Sequence, residues 1–595
     1  MRWPTIERIA KREWCGNGSE CAEIADPELA IASSNCRPVR VNFTHTCHLL
    51  PTSIDHMMTF TALALSAFTT LEAAKRPGPK LAISGLAYAI TVPDLCLYRY
   101  RTSTPSEECQ KFCDQGFGYY YSYVWIEAVR NFETALQHDP ECAMAWLGLH
   151  KSLEKWGKTT AKPSPYFAAL GTVIQPKLPD SIAKAPHDYA LEMAKQLLPK
   201  ASHREGFLIT AKLQEKGMLP GVGDERRKKA QQTLDELLAI YEDDEEGWFA
   251  RAQLGDGTHG AIVFYKALLR LNPYHPGANH ELVHTYENVR RPALGWPYAE
   301  GYIRSSPGLP HAFHMQAHLG MRVGKWAKTT DYSWHAIELQ RDYHKLQNVK
   351  PDEDHQFSHH LETLTRSLIH DGRFREAKQI RTESERHKYY FRQEWFRMAT
   401  SLQEWADAEE LVNKLRKGDK ATAAYFAAIL AIERGDLDRA KAEIDTMQHA
   451  NQSKRGERQR ELRLWEVQGR YACKTGNGDA GIKLLKRTID KTKDDYAHHA
   501  WGGGAYFMES WGRGALDAGQ LIEAREAYQE ALAHDSGSVR GALGMWAVCT
   551  QSGEPEEAAR YLKLAQRCWQ RAESSDFDRL KATFTGTSGA SGARG

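Results

Sequence analysis

An all-α array of two-helix repeats is the fold class this sequence predicts, and three observations predict it. The same residue steps recur in distant segments. A glycine–alanine punctuation mark recurs between helical stretches. At 595 residues the chain also exceeds one compact core, so several domains or one extended array is expected.

The recurring steps come first. AVRNFETALQHDP sets Ala128, Phe132, Ala135 and Pro140 at steps of four, three and five. AREAYQEALAHDS repeats those steps with Ala524, Tyr528, Ala531 and Ser536, and AIVFYKALLRLNP with Ala261, Tyr265, Leu268 and Pro273. The first three residues of each set fall on one helical face, one turn apart. A proline in the last place ends the helix.

The punctuation mark is Gly-x-x-x-x-Ala, found as GRFREA (372–377), GDLDRA (435–440), GQLIEA (519–524) and GEPEEA (553–558). The last two glycines, Gly519 and Gly553, are spaced by roughly 34 residues, the length of one two-helix repeat. Each glycine is expected to close one helix in a left-handed cap, and each alanine to let the next helix pack closely. A pair of amphipathic helices cannot bury its apolar face alone, so neighbouring pairs stack, here into an expected right-handed superhelix.

That repeat length is the tetratricopeptide period, and the chain resembles tetratricopeptide repeat proteins over roughly 95–575. It resembles more closely a large, mostly uncharacterised bacterial group of them. CQKFCDQGFGYYYSYVWIEAVRNFETALQHDPECAMAWLGL (109–149) is similar to that group's opening repeat. NHELVHTYENVRRPALGWPYAEGYIRSSPGLPHAFHMQAHLGMRVGKW (279–326) resembles its central NHxxIH … PHxxHMPSHI block, and SHHLETLTRSLIHDGRFREA (358–377) a later one. Gln316 and Ala317 stand where the group has Pro-Ser, and Val124 and Trp125 where it often has Asn-His. The resemblance implies an α-solenoid with a concave surface that binds a protein or peptide. Most such arrays are scaffolds rather than enzymes.

Composition narrows the partners. Lys and Arg number 78 against 76 Asp and Glu, for a net charge of +2, and no basic block is interleaved with aromatics. That argues against a nucleic-acid platform. The runs ERRKK (225–229), EDDEE (242–246) and KRGERQR (454–460) read as solvated helix faces. Eleven cysteines contain no CxxC pair, so neither a zinc ribbon nor a thioredoxin-like motif is indicated. Cys109 and Cys113 stand one helical turn apart, a spacing poorly suited to a disulfide in a helix. Cys142 reads as packing.

The ends of the chain carry less. Residues 1–90 are expected to be poorly structured. The apolar run 57–74 is too interrupted by threonine for a membrane span. Read from Met57 or Met58 it has the form of a poor signal peptide, which leans toward export, with a cytoplasmic location as the alternative. The Gly/Ser/Thr tail, 583–595, is expected to be disordered.

Chemistry concentrates in the middle. Twelve of 25 histidines lie between 275 and 370. HELVH (280–284) fits the HExxH pattern of zinc peptidases, with Glu287 available as a third ligand. A zincin also needs a metal-bound water beside the glutamate, and a repeat array offers no accompanying substrate-binding strand. In the resembled group the two histidines recur while the glutamate position is usually another residue, so the matching feature is HxxxH. His280 and His284, His314 and His318, and His355 and His359 are each four apart, with His311 just before the second pair and Glu362 three residues after His359. Each pair would project from one face of its own helix. First helices of successive repeats lie side by side, so imidazoles from three of them can point into one volume.

Two readings follow. In one, His280, His284, His314, His318, His359 and Glu362 bind a transition metal: zinc, copper or iron. In the other, the histidines cap helices and fill polar gaps. GDGTHG (255–260) formally matches a dinucleotide-binding loop, but it follows helical sequence where a strand is needed, and it reads as a turn. The aromatics read mainly as packing between helices. GGG (502–504) suggests a break in the array.

Overall fold

The structure is a computed structural model and describes residues 80–160, 186–219, 223–255, 257–449, 457–492 and 505–585. The apolar run 57–74, the glycines at 502–504 and residues 586–595 lie outside the described residues. Among the described residues there are 25 α-helices and no β-strand, only one isolated bridge, Lys80 to Ala87. No helix among them is long and apolar enough to cross a membrane.

The first helices are α1 (Glu107–Tyr121), α2 (Trp125–His138), α3 (Ala143–Thr160), α4 (Pro186–Gln196), α5 (His203–Lys216), α6 (Arg226–Ile240), α7 (Glu245–Gln253) and α8 (Gly257–Leu271). The central helices are α9 (Pro276–Asn288), α10 (Pro292–Ser305), α11 (Pro310–Arg322), α12 (Trp326–Gln347), α13 (Phe357–His370), α14 (Phe374–Arg386), α15 (Arg392–Ser401) and α16 (Trp405–Arg416). Then come α17 (Lys420–Arg434), α18 (Leu437–His449), α19 (Glu457–Lys474), α20 (Gly478–Thr492), α21 (Tyr506–Asp517), α22 (Leu521–His534), α23 (Val539–Gln551), α24 (Pro555–Cys568) and α25 (Ser574–Ala582).

The repeat logic holds at the level of single residues. Gly372, Gly435, Gly519 and Gly553 have φ between 70° and 76°, the left-handed conformation that closes a helix and that only glycine adopts without strain. The alanines that follow them, Ala377, Ala440, Ala524 and Ala558, are buried where the next helix packs. The period extends to the middle of the chain. α9 and α11 begin at Pro276 and Pro310, and α10 and α12 at Pro292 and Trp326, each pair offset by the roughly 34 residues of one tetratricopeptide unit. Consecutive helices pack as hairpins, and α9, α11, α13 and α15 lie side by side as the first helices of successive pairs. GDGTHG falls at the turn after α7 and the start of α8.

Two large apolar cores result, one from Leu81 to Leu309 and the other from Ile337 to Phe584. Between them, α9, α10 and α11 share only a small cluster: Val283, Ala299, Tyr302, Ala312, Met315 and Leu319. Beside it lie the buried His280, His311, His314 and His318.

Two features depart from the sequence expectation. Residues 80–105 form an extended strap that packs onto the array: the backbone N–H of Ser84 donates to Glu133 at 2.9 Å, and Leu97 N–H to Ser305 O at 2.7 Å. Residues 80–90 are therefore part of the packed array, whose first helix begins at Glu107. In EDDEE, Asp244 and Glu246 are buried rather than solvated. Asp244 accepts from the Gly247 N–H at the start of α7, and Glu246 accepts from the hydroxyls of Tyr98 and Tyr121.

The C-terminal repeats also fold back onto the centre. The Trp326 indole donates to the Asp535 carboxylate at 3.0 Å, and the Ser536 hydroxyl to Val323 O at 3.1 Å. These contacts seat the α22–α23 turn on the α11–α12 turn. Further on, the Trp569 indole donates to His370 O at 2.8 Å and Arg571 pairs with Asp371. At the tail, Phe584 is buried near Tyr528.

Candidate metal centre

Three neighbouring helices and one turn build the site. α9 supplies His280 and His284, α11 supplies His311, His314 and His318, and α13 supplies His359 and His360. His280 and His314 are separated by that same repeat interval, as are His284 and His318. They occupy equivalent positions in consecutive repeats, so the side-by-side packing of α9 and α11 brings like face to like face.

The side chains converge in two trios. One nitrogen from each of His280, His284 and His311 lies within 4.8 Å of the others, and the same holds for His314, His318 and His359. The trios adjoin: the His311 and His314 rings are 5.6 Å apart, and His360 lies 4.1 Å from His314 and 5.9 Å from His311. His280 and His311 face each other Nε2 to Nε2 at 3.1 Å. A tetrahedral ion with bonds of about 2.0–2.1 Å needs its nitrogens about 3.3 Å apart. In each trio two imidazoles are buried and one, His284 or His359, is half-buried toward solvent.

Neighbouring groups fix which ring nitrogen points inward. His280 Nδ1 donates to Tyr121 O at 2.6 Å, leaving the Nε2 lone pair facing His311. The Gln340 amide donates to Asp354, so its oxygen accepts from His360 Nδ1, and His360 Nε2 has no hydrogen-bond partner among the described residues. Glu287, buried on α9, approaches both trios: one oxygen is 3.3 Å from His284 Nδ1 and the other 3.4 Å from His318 Nδ1. Arg322 Nε donates to the same carboxylate at 2.6 Å. A carboxylate behind an imidazole orients the ring and raises its basicity toward an ion on the far nitrogen.

The electrostatics keep lone pairs available. Burial, then the neighbouring imidazoles, hold His280, His311, His314 and His359 well below the ordinary histidine range. Burial takes His360 down to about 3. Burial alone would raise the Glu287 carboxyl. The adjacent His318, hydrogen bonds from His284 and His318, and the Arg322 guanidinium outweigh it and hold Glu287 well below the usual carboxylate range. Burial therefore favours the uncharged form of His280, His311, His314, His359 and His360 beside the anionic Glu287, and the uncharged imidazole is the form that metal ligation requires.

The α1–α2 turn closes one side. Tyr123 has φ 58°, an unusual backbone for a non-glycine residue. Its ring stacks on His284 at 5.7 Å and 7°, and its hydroxyl donates to Glu281 at 2.8 Å. The Tyr302 hydroxyl donates to Ser122 Oγ at 2.6 Å and Gln356 Nε2 to Ser122 O at 3.2 Å, which pins the turn. Glu281, the HExxH glutamate, is thus engaged by a tyrosine.

Other residues of the sequence-derived set fall elsewhere. His355 precedes α13, which begins at Phe357, so it shares no helical face with His359 and instead bonds the Tyr123 carbonyl. Glu362 pairs with Arg366 at 3.2 Å and takes no place in either trio. The capping and packing reading describes four other histidines well. His275 caps α9 by accepting from Ala278 N–H, His344 bonds Asp354, His370 stacks on Trp326, and His335 packs against Phe313. His311, which completes the first trio, is not among the sequence-derived ligands, nor are His360 and the Tyr123 turn. The one-repeat register shared by the two HxxxH pairs is the signal that singles out α9 and α11.

No family model matches this chain, and no curated protein matches it in sequence. Among solved structures, it is similar to a chain of the Cut9–Hcn1 hetero-tetramer of APC/C at 12% identity, covering 80% of this chain and 76% of that one with a TM-score of 0.28. It is also similar to the TPR domain of P58(IPK) at 13% identity, covering 60% of this chain and 97% of that one with a TM-score of 0.18. Those superpositions are loose, and the fold rests on the helix pairing and the repeat period described above: the chain is an all-α solenoid of tetratricopeptide type.

Proposed function

We propose that this chain is a metalloprotein whose two histidine trios hold transition-metal ions, one at His280, His284 and His311 and one at His314, His318 and His359. The Nε2–Nε2 approach of 3.1 Å between His280 and His311 carries the reading. With His280 Nδ1 committed to a carbonyl, its Nε2 accepts from His311 Nε2–H in a buried site, and an ion replacing that proton would take both nitrogens. Packing alone offers no reason to gather these groups between two apolar cores: His284 Nε2, His311 Nδ1, His314 Nε2 and His360 Nε2 are buried with no hydrogen-bond partner among the described residues, and each such atom costs about 1–3 kcal/mol. Three imidazoles suit zinc, copper or iron and leave a coordination position open. Such an ion supplies Lewis-acid or oxidative chemistry, and the half-buried His284 and His359 mark the sides from which a small molecule would approach.

The test is elemental analysis of the full-length chain reconstituted with zinc, copper or iron, beside a His280→Ala/His314→Ala double variant. About two equivalents more in the parent than in the variant support the reading. Equal content in both removes it.

A scaffold function for a protein or peptide partner is the second reading, and the array architecture itself favours it. The two are compatible, since the metal region occupies only α9 to α13. Partner capture that is unchanged in the double variant would assign binding to the rest of the array.

A further inference from the structure

A second ligand cluster lies at the other end of α1, away from the histidines. Cys109 and Cys113 stand one turn apart on α1, and the α2 hairpin brings Cys142, just before α3, against them. One sulfur from each lies within 4.8 Å of the other two. All three are free thiols, with exposures of 0%, 0% and 2%. Cys142 sits at the start of α3, where its sulfur accepts from the Ala145 N–H. Thr104 Oγ1 lies beside Cys109 and donates to Asp139.

We propose that Cys109, Cys113 and Cys142 form a three-thiolate site for a soft monovalent ion, Cu(I). Thiolate donors select soft metals, Cu(I) and zinc foremost. Zinc is the weaker fit, because structural zinc takes four protein ligands and catalytic zinc completes its shell with water. Among the described residues the cluster has three members, and at these exposures no solvent reaches the sulfurs to supply a fourth. With metal–sulfur bonds of about 2.3 Å, planar three-coordination needs sulfurs about 4.0 Å apart, which the observed spacing meets with small rotamer shifts. Binding releases the thiol protons. Access is through the turn beside Cys142, where Pro140 and Glu141 are exposed. The eight to twelve residues along α1 to Tyr121 put this site roughly 12–18 Å from the nearer histidine trio. It does not rest on the metal reading of those histidines.

The experiment is anaerobic titration of the reduced full-length chain with Cu(I) against a chromophoric Cu(I) chelator, followed by thiol alkylation and peptide mapping. The expected result is one tightly held Cu(I) per chain, thiolate-to-copper absorption in the near ultraviolet, and protection of Cys109, Cys113 and Cys142 together. Cys113→Ser and Cys142→Ser should each weaken retention by more than the roughly 10–100-fold that losing an outer partner costs. His280→Ala/His284→Ala should leave the absorption and the protection pattern unchanged. Protection confined to other cysteines, or an absorption that vanishes in the histidine variant, overturns the proposal. Mapping on the unaltered chain with and without Cu(I), under denaturant that exposes these thiols in the copper-free chain, decides the matter even where a serine variant fails to fold.

Discussion

His284 Nδ1 and the Glu287 carboxylate lie 3.3 Å apart, one turn along the same helix, and the other Glu287 oxygen reaches toward the second trio. One buried anion therefore orients imidazoles on both sides of the centre.

Glu287→Gln removes that anion while keeping size and one acceptor. Metal affinity should fall by roughly 10–100-fold at both trios, the cost typical of an outer-shell partner. Competition with a chelator, read as metal retained per chain, checks it. A loss at one trio only would show that Glu287 serves a single ion.

Stability of the metal-free chain should fall in acid. Burial lowers His275 and His360 to about 3, so the folded state prefers them neutral. In the unfolded chain they take up protons below about pH 6.5. The unfolded state then binds more protons, and stability is lost progressively from about pH 6.5 down to about pH 3. Thermal melts of the metal-free chain across that range should show Tm falling with pH. A flat profile would contradict neutral burial.

Asp535 should contribute with the opposite sign. Burial, then Glu509, raises it to about 7, against hydrogen bonds from Trp326 and Gly537 that lower it. Its folded form holds a proton that the unfolded carboxyl releases, so its contribution declines as pH rises from about 4 to 7. Asp535→Asn should abolish that component in the same melts. Asp535→Ala also strands the Trp326 indole and should cost about 1–3 kcal/mol by denaturant titration.

Two glycine substitutions should move stability in opposite directions. A Cβ on Gly544 would sit 2.3 Å from the Tyr528 ring, so Gly544→Ala should destabilise by about 1–3 kcal/mol. Gly206 lies inside α5 with nothing within 4 Å of its Cβ position, and Gly206→Ala should stabilise by about 0.5–1 kcal/mol. Denaturant midpoints of the two variants test the pair.

The repeat helices are legible in the sequence because local spacing determines them. Ala524, Tyr528 and Ala531 mark one face of α22, and Gly519 marks the turn before it, all within a short stretch. His280, His284, His314 and His318 are legible for the same reason. The rest of the centre depends on how helices cross. His360 reaches the cluster through the rotation of α13, which no i,i+4 pairing encodes. Spacing alone would put His355 on that helix, but the Asp354 carboxylate caps a turn through the Gln356 N–H at 3.0 Å and delays the helix start. Tyr123 enters from a turn far earlier in the chain. Glu362 has the right spacing from His359, yet Arg366, one turn on, holds it.

The contact between Trp326 and Asp535 joins positions 209 residues apart. In an open solenoid each repeat touches only its neighbours, so the ends fray independently and repeats can be trimmed with local effect. Here the last repeats are latched to the middle, so α12 through α25 make a closed loop rather than a chain of links. Closing a loop of that length costs about 5 kcal/mol of chain entropy, (3/2)RT ln n, before any constant. The latch therefore forms late, after the intervening hairpins have shortened the effective loop. Once it is shut, losing the final helices is felt at the α11–α12 turn, next to Arg322, whose guanidinium holds Glu287.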